Sequence, residues 1–277
     1  WMMRSGKPDK AGFKYGQLDP APYDPKTESR IDMFISGYKE RMQYSTHGTL
    51  LERDIFTHNN GDPVRPNDRG GVLRFLDRFT YAVLVEGDRT APTTLKDTQE
   101  LFYIHEGRGK VSGGGKSYDL YPGVAFMVPQ GLEFVMENTE NTPMSMFLVA
   151  EKTDASFNPV KDIVWRDENT EPFHTTNAHW VNSNRWLIRK EEGLSRIALF
   201  LTVTIQPGTF AQPHSHGLGD EEIWAPLDGR VNFLLGKQIR TMEVGQAHYI
   251  PPDGKTAHAN FNPGDKPVKM LYVGLFG

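Results

Sequence analysis

The sequence predicts an all-β protein built from two copies of one barrel-forming module. Two observations support this prediction. First, 27 glycines and 19 prolines separate short segments rich in Val, Ile, Leu, Phe and Tyr, which is typical of β-sandwiches and barrels. Second, two series of such segments match each other at a nearly constant offset, which indicates an internal duplication.

The first part of the chain, residues 1–71, differs from the rest. Residues 1–26 are polar and rich in Pro, Gly and Lys, so we expect an arm that lies on the surface. Within residues 27–41, apolar residues recur at helical spacing, and we expect one short amphipathic helix there. The residues that define this spacing are Ile31, Phe34, Ile35 and Tyr38.

Strand-like segments dominate from Val72 onward and form two series. We assign residues 72–155 to the first module and residues 195–277 to the second. Residues 156–194 are mixed in composition and rich in Asn, Asp, Glu and Trp, so we expect them to link the modules. With residues 1–71 as arm and helix, these ranges make up the whole chain.

The duplication is visible in individual residues that suit turns and strand ends. Paired positions keep the same residue type at offsets of 121 to 124 residues, so one or two small insertions account for the drift. The pairs are Gly87 with Gly208, Glu100 with Glu222, Gly107 with Gly229, Gly123 with Gly245, Pro129 with Pro251, and Asn138 with Asn262. Six matches in the same order indicate two copies of one β-module.

Composition excludes several classes of function. The formal net charge is −4 and the pI is about 6.2, so the basic face that nucleic acids require is not expected. The sequence contains no run of 18 apolar residues, so it predicts no membrane span. The absence of cysteine excludes disulfides, thiolate metal ligands and a cysteine nucleophile, and it leaves the compartment open. Because the sequence starts at Trp1, we expect that an N-terminal segment has been removed.

The second module contains a group of residues that suits a metal site. Side chains alternate between the two faces of a strand, so His214 and His216 project to the same side. Glu222 begins the next predicted strand, and His258 begins another after a turn. Three imidazoles and one carboxylate are a borderline ligand set that suits one divalent ion of Mn, Fe, Co, Ni, Cu or Zn. Up to two coordination positions would stay open for a substrate.

These residues and their spacing resemble the two motifs of the cupin superfamily. The first motif has five residues between a glycine and H-x-H, and six residues between a glutamate and a second glycine. The second motif combines glycine, proline, glycine, histidine and asparagine. The matching residues are Gly208, His214, His216, Glu222 and Gly229, then Gly245, Pro251, Gly254, His258 and Asn262, with one extra residue before His258.

The resemblance covers roughly residues 72–150 and 195–277 and implies two RmlC-like double-stranded β-helix, or jelly-roll, barrels. The gap between His216 and the glutamate is one residue longer than usual. Glu221 fits that gap but breaks the spacing to Gly229, whereas Glu222 aligns with Glu100 of the first copy. We prefer Glu222 as the carboxylate ligand, and Glu221 stays an alternative.

The first module keeps the turn residues of the pattern but not the ligands. The positions that correspond to the metal-binding histidines hold Thr93, Leu95 and Phe134, and only the glutamate, Glu100, is retained. Leucine and phenylalanine cannot ligate a metal, so we expect this module to be metal-free. The chain would then bind one metal ion rather than two.

Several functions are compatible with such a site, because the fold by itself does not define one. The leading hypothesis is a metalloenzyme with isomerase, lyase or hydrolase chemistry on a sugar acid or another oxygenated carboxylate. Glu221 is a candidate acid or base, and Arg185 a candidate anchor for a substrate carboxylate. The alternatives are a quercetinase-like dioxygenase and a non-catalytic binding or storage protein. The resemblance also makes a homodimer plausible.

Overall fold

The computed structural model describes residues 14–15, 24, 26, 28–174 and 182–276 of the chain. Nearly all regular structure in these residues is β-strand, which confirms the predicted all-β class. Most of the predicted N-terminal arm lies outside the described residues. No helix among the described residues is long and apolar enough to span a membrane.

The first module is a barrel formed by one large and one small sheet. Its large sheet has the strand order β14-β11-β8-β13-β6-β4-β3, with β5 paired to β4, and its small sheet has the order β10-β9-β12-β7. The strands are β3 (Gln43–Thr46), β4 (Leu50–His58), β5 (Gly71–Leu73), β6 (Leu76–Leu84), β7 (Thr93–Thr94), β8 (Thr98–Glu106), β9 (Gly109–Gly113), β10 (Lys116–Leu120), β11 (Val124–Val128), β12 (Glu133–Asn138), β13 (Met144–Lys152) and β14 (Val164–Asp167).

The second module repeats this arrangement and recruits two strands from the N-terminal region. Its sheets have the orders β15-β16-β23-β18-β21-β2 and β1-β17-β22-β19-β20. The strands are β1 (Lys14–Tyr15), β2 (Ile35–Gly37), β15 (Asn182–Arg189), β16 (Leu199–Ile205), β17 (His214–Ser215), β18 (Glu221–Pro226), β19 (Arg230–Leu235), β20 (Gln238–Glu243), β21 (Gln246–Ile250), β22 (His258–Phe261) and β23 (Val268–Leu275).

The two modules agree in strand register as well as in strand order. Glu100 on β8 lies opposite Val128 on β11, and Glu222 on β18 lies opposite Ile250 on β21. The offset from Glu100 to Glu222 is the same as that from Val128 to Ile250, and it is the offset that relates the two copies in the sequence. The internal duplication therefore extends to which residues face each other across the strands.

The large sheets of the two modules pack against each other through a shared core. One hydrophobic cluster contains buried residues of both modules, and the rings of Phe56 on β4 and Tyr249 on β21 meet edge to face at 6.1 Å. His105 of the first module also donates a hydrogen bond from Nε2 to the Leu227 carbonyl of the second, at 2.8 Å. A separate cluster fills the interior of the first barrel. The modules therefore share a continuous apolar interface.

The prediction of one amphipathic helix within residues 27–41 is wrong, both in the type of secondary structure and in its extent. The chain forms a 3₁₀ turn at Ile31–Phe34, then the short strand β2, then a second 3₁₀ turn at Tyr38–Glu40. β2 pairs with β21, so its backbone hydrogen bonds go to a neighbouring strand instead of to the preceding helical turn. Gly37, which is unfavourable inside a helix, is the last residue of that strand.

The structure extends each large sheet beyond the ranges assigned from the sequence. β3 and β4 precede residue 72 but pair into the sheet of the first module, and β15 lies in the predicted linker but pairs with β16 of the second.

The backbone conformation explains why both copies have a glycine at the positions that mark the repeat. Gly123 and Gly245 both follow a strand and have φ values of 93° and 91°, a left-handed conformation that favours glycine.

Candidate metal centre

Three histidines of the second module converge inside its barrel. His214 on β17 lies directly opposite His258 on β22, and His216 follows two residues after His214. All three side chains are buried, and one ring nitrogen from each lies within 4.8 Å of the others. Among the described residues, this is the one group of three or more possible metal-ligating side chains. The structure thus brings together the three histidines that the sequence pattern singled out.

Glu222 reaches the same point from the opposite sheet. Its Oε1 lies 2.9 Å from Nε2 of His216, and its Oε2 lies 3.1 Å from Nε2 of His258. Burial would raise the pKa of this carboxyl group, but the adjacent imidazoles outweigh burial and hold the pKa well below its usual range. Burial also lowers the pKa of His258. An ionised carboxylate and a neutral imidazole are the forms that bind metal ions.

Hydrogen bonds to neighbouring side chains hold the carboxylate in place. The indole Nε1 of Trp224 donates to Oε2 of Glu222 at 2.8 Å, and the phenol of Tyr272 donates to Oε1 at 2.7 Å. Burial and the nearby carboxylate raise the pKa of Tyr272 well above its usual value, so the phenol keeps its proton. Such outer partners orient ligands and tune a metal site.

A similar contact fixes the orientation of His214. Its Nδ1 lies 2.9 Å from the carbonyl oxygen of Gln212. A carbonyl oxygen can only accept, so Nδ1 must carry the proton and donate it. Nε2 is then the basic nitrogen of this ring, which is the form of nitrogen that binds metal ions.

Glu221 lies on the other face of β18. Its carboxylate accepts a hydrogen bond from Nε of Arg74, a residue of the first module, and Arg74 also donates from Nη2 to the Gly219 carbonyl at 2.6 Å. Successive residues of a strand point to opposite faces, so only one of the two glutamates can face the histidines. That residue is Glu222. The structure does not bring Glu221 to the histidine group, either as a ligand or as an acid or base.

Arg185 also lies away from the histidine group. It is paired across β15 and β16 with Thr202, whose hydroxyl contacts Glu168 on the module interface. The Arg185 guanidinium lies 3.7 Å from the Glu168 carboxylate and 3.9 Å above the ring of Phe173. A substrate inside the second barrel would not meet this side chain, so the expected anchoring role gains no support from its position.

The first module has other residues at the positions of the three histidines. Thr93 on β7 lies opposite Phe134 on β12, in the same relation as His214 to His258. The phenyl ring of Phe134 is buried in the barrel core. The positions are therefore equivalent in three dimensions, and the first module lacks imidazoles where the second one has them.

Two residues of the site were missed from the sequence. Trp224 lies two residues after Glu222 and therefore shares its face of the strand. Its position could have been inferred from that spacing. Tyr272 lies 50 residues from Glu222, and only the pairing of β18 with β23 brings them together.

Comparison with known proteins places the chain in a family. A profile described as "Cupin domain" matches residues 80–150 and 201–274, which together make up more than half of the sequence. The chain belongs to the cupin family. It is a two-module cupin whose two profile matches fall on the two barrels described above. Among curated proteins, none matches the sequence of this cupin significantly.

Solved structures resemble this cupin over most of its length. Protein Ylba from E. coli is 12% identical with a TM-score of 0.66, covering 87% of this chain and 90% of that chain. AerE from Microcystis aeruginosa is 13% identical with a TM-score of 0.66, covering 88% and 100%. The oxalate decarboxylase of Lactobacillus farciminis, in a formate complex, is 15% identical with a TM-score of 0.66, covering 91% and 88%. Identities this low establish a common fold.

Proposed function

We propose that this cupin is a metal-dependent enzyme that acts on a small oxygenated carboxylate in the second barrel. The observation that carries the proposal is the convergence of three buried histidine nitrogens, of which those of His216 and His258 contact an ionised, buried glutamate. This donor set fits one divalent ion of Mn, Fe, Co, Ni, Cu or Zn. The residues that would hold it are His214, His216, Glu222 and His258.

The charge of such a site favours an anionic substrate. Three neutral imidazoles and one carboxylate leave a divalent ion with a net charge of about +1. A buried site with a net positive charge attracts an anionic carboxylate, because charges interact strongly where water is excluded. The oxalate decarboxylases that share this fold act, by their name, on a small carboxylate, which supports the same substrate class here.

The residues around the site have separate tasks. A bound divalent ion supplies Lewis-acid polarisation of a carbonyl or carboxylate oxygen. Trp224 and Tyr272 hold both oxygens of Glu222, and the Gln212 carbonyl holds the ring of His214, so the donor atoms are already in place before a ligand arrives. Preorganised donors of this kind lower the cost of binding.

A substrate panel tests the proposal directly. Protein loaded with each metal in turn would be incubated with oxalate, ketouronates and other keto and hydroxy acids, and substrate loss would be measured together with dissolved oxygen. We expect substrate turnover without oxygen consumption. This turnover should be lost in His258→Ala. The matched control is His58→Ala, which removes a histidine at the end of β4 and should keep turnover.

Three results would contradict the proposal in different ways. If the purified protein bound no divalent metal, the site itself would be rejected. If it bound metal but turned over no carboxylate, the substrate class would be rejected. Stoichiometric oxygen uptake with a substrate would replace Lewis-acid chemistry with that of a dioxygenase.

A further inference from the structure

The interior of the second barrel contains a buried imidazole that the proposed function does not use. His248 on β21 lies opposite Trp224 on β18, and its ring stacks on that of Phe233 on β19 with 4.3 Å between the ring centroids. The side chain is completely buried, and neither ring nitrogen has a hydrogen-bond partner among the described residues. Because an unpaired buried polar group costs stability, such a group indicates a ligand or an ordered water molecule as its partner.

A second unpaired polar atom lies in the same layer of the barrel. Asn260 on β22 is buried, and its Oδ1 has no hydrogen-bond partner among the described residues. Asn260 lies opposite Phe233, the residue whose ring stacks on His248. It also lies two residues after His258 and therefore on the same face of the strand. The two polar side chains thus border the same ring, one side-chain layer away from the histidine group.

The first barrel has apolar residues at both positions. An offset of 122 residues relates His248 to Phe126, and an offset of 124 relates Asn260 to Met136. Phe126 stacks on Phe102 with 4.6 Å between the ring centroids, and Phe126 and Met136 both belong to the hydrophobic cluster that fills this barrel. The fold therefore does not require a polar residue at either position, and the barrel that has the three histidines is the one that has them.

We propose that His248 and Asn260 bind a hydroxyl group of the substrate, whose carboxylate end lies at the histidine group. This subsite rests on the proposed function and narrows its substrate class from oxygenated carboxylates to hydroxy acids. A hydroxyl group can accept a hydrogen bond from the imidazole N–H and donate one to Oδ1 of the amide. A keto oxygen or an ionised carboxylate can only accept, so it would leave Oδ1 of Asn260 unpaired.

The separation of the two layers defines where the hydroxyl group lies on the substrate. Two residues along β22 separate Asn260 from His258, and two residues along β18 separate Trp224, the partner of His248, from Glu222. Such a step is about 6.6 Å long, and carbon–carbon bonds are about 1.5 Å long, so a hydroxyl on roughly the fourth to sixth carbon of an acid would reach across it.

Calorimetric titration of the full-length, Zn²⁺-loaded protein tests this subsite. The probes are 4-hydroxybutyrate and 6-hydroxyhexanoate, each compared with the acid that lacks the hydroxyl, butyrate or hexanoate. We expect at least one hydroxy acid to bind about tenfold more tightly than its matched acid, as two added hydrogen bonds would produce.

Two variants introduce the residues of the first barrel into this subsite. His248→Phe and Asn260→Met should each lower the preference for the hydroxy acid, because each removes one of the two partners of the hydroxyl. Both should leave the affinities for Zn²⁺ and for the matched acid unchanged. Tyr103→Phe is the matched control, because it removes a buried hydroxyl that donates to Glu168 at 2.6 Å, and it should keep the full preference.

Two results would overturn the subsite while leaving the proposed function intact. Equal affinities for a hydroxy acid and its matched acid, in protein that binds both, would show that ordered water satisfies His248 and Asn260. A preference that persisted unchanged in both variants would place the hydroxyl elsewhere. Protein that bound Zn²⁺ but none of the acids would reject the proposed substrate class and the subsite with it. The comparison of the acids on the parent protein stays decisive if either variant does not fold.

Discussion

The two barrels of this cupin place a buried glutamate at the same position and surround it differently. In the second barrel Glu222 contacts His216 and His258, whereas in the first Glu100 contacts Arg78 and His47. Both barrels keep the same strand register and the same left-handed turn glycines. The comparison teaches that the barrel depends on its turns and its core, and that the residues around the glutamate can change while the fold is retained.

The largest effect is expected from giving the second barrel a residue of the first. His258→Phe removes an imidazole and adds a ring at the centre of the donor set, so metal binding should fall below detection in isothermal titration calorimetry. The reverse exchange, Phe134→His, should leave the number of bound ions unchanged, because Arg78 still neutralises Glu100. Metal affinity within tenfold of the parent protein in His258→Phe would break the comparison.

A smaller effect is expected from the outer partners of the glutamate. Tyr272→Phe removes the hydroxyl that donates to Glu222 at 2.7 Å, and loss of such a partner typically weakens metal binding by about 10–100-fold. Tyr103→Phe is the matched control, because its hydroxyl donates at 2.6 Å to Glu168, outside the donor set. Competition with a chromophoric chelator would measure both affinities. Equal losses in both variants would point to a general destabilisation instead.

A substitution in the first module should also weaken metal binding in the second. Arg74→Ala removes the contacts to Glu221 and Gly219, which anchor the loop between His216 and Glu222. We expect metal affinity to fall by up to about tenfold, at the lower end for outer partners. Arg196→Ala, which loses an exposed ion pair with Asp154 and a contact with the ring of Phe75 but none with Glu221 or Gly219, should leave the affinity unchanged. An unaltered affinity in Arg74→Ala would show that the loop is positioned without the first module.

The smallest effect concerns acid stability of the first barrel. Burial would raise the pKa of Glu52, but Arg78 lowers it below the value of an unfolded glutamate, about 4.3. The folded state therefore binds fewer protons, and the stability that Glu52 contributes is present above that value and lost as the pH falls. Urea unfolding between about pH 5 and pH 3 should show a shallower loss of stability in Glu52→Gln than in the parent protein. Identical slopes would contradict this role of Glu52.

Much of the fold could be predicted from the sequence because the evidence for it is local. Alternating apolar residues and turn glycines marked the strands from Val72 onward, and the constant offset marked the duplication. The errors concern elements defined by distant partners. β2 was mistaken for part of a helix because its apolar spacing fits both structures, and its pairing with β21 decides between them. β15 was missed because its pairing with β16 lies in a segment of mixed composition.

In the candidate site, too, the residues that could be predicted are those with local evidence in the sequence. His214 and His216 could be placed together because residues two apart share a face of a strand. The preference for Glu222 over Glu221 came from its alignment with Glu100. The role of Arg78 could not be predicted, because its partners lie 22 and 26 residues away on other strands. His47 likewise reaches Glu100 only through the turn between β3 and β4.

Anomalous diffraction from crystals of the metal-loaded parent protein tests the central claim most directly. Data recorded at the absorption edge of the bound metal should show one peak per chain. We expect it about 2.0–2.3 Å from the ligating nitrogens of His214, His216 and His258 and from an oxygen of Glu222. A peak beside Glu100 in the first barrel, or no peak in the second, would contradict the account.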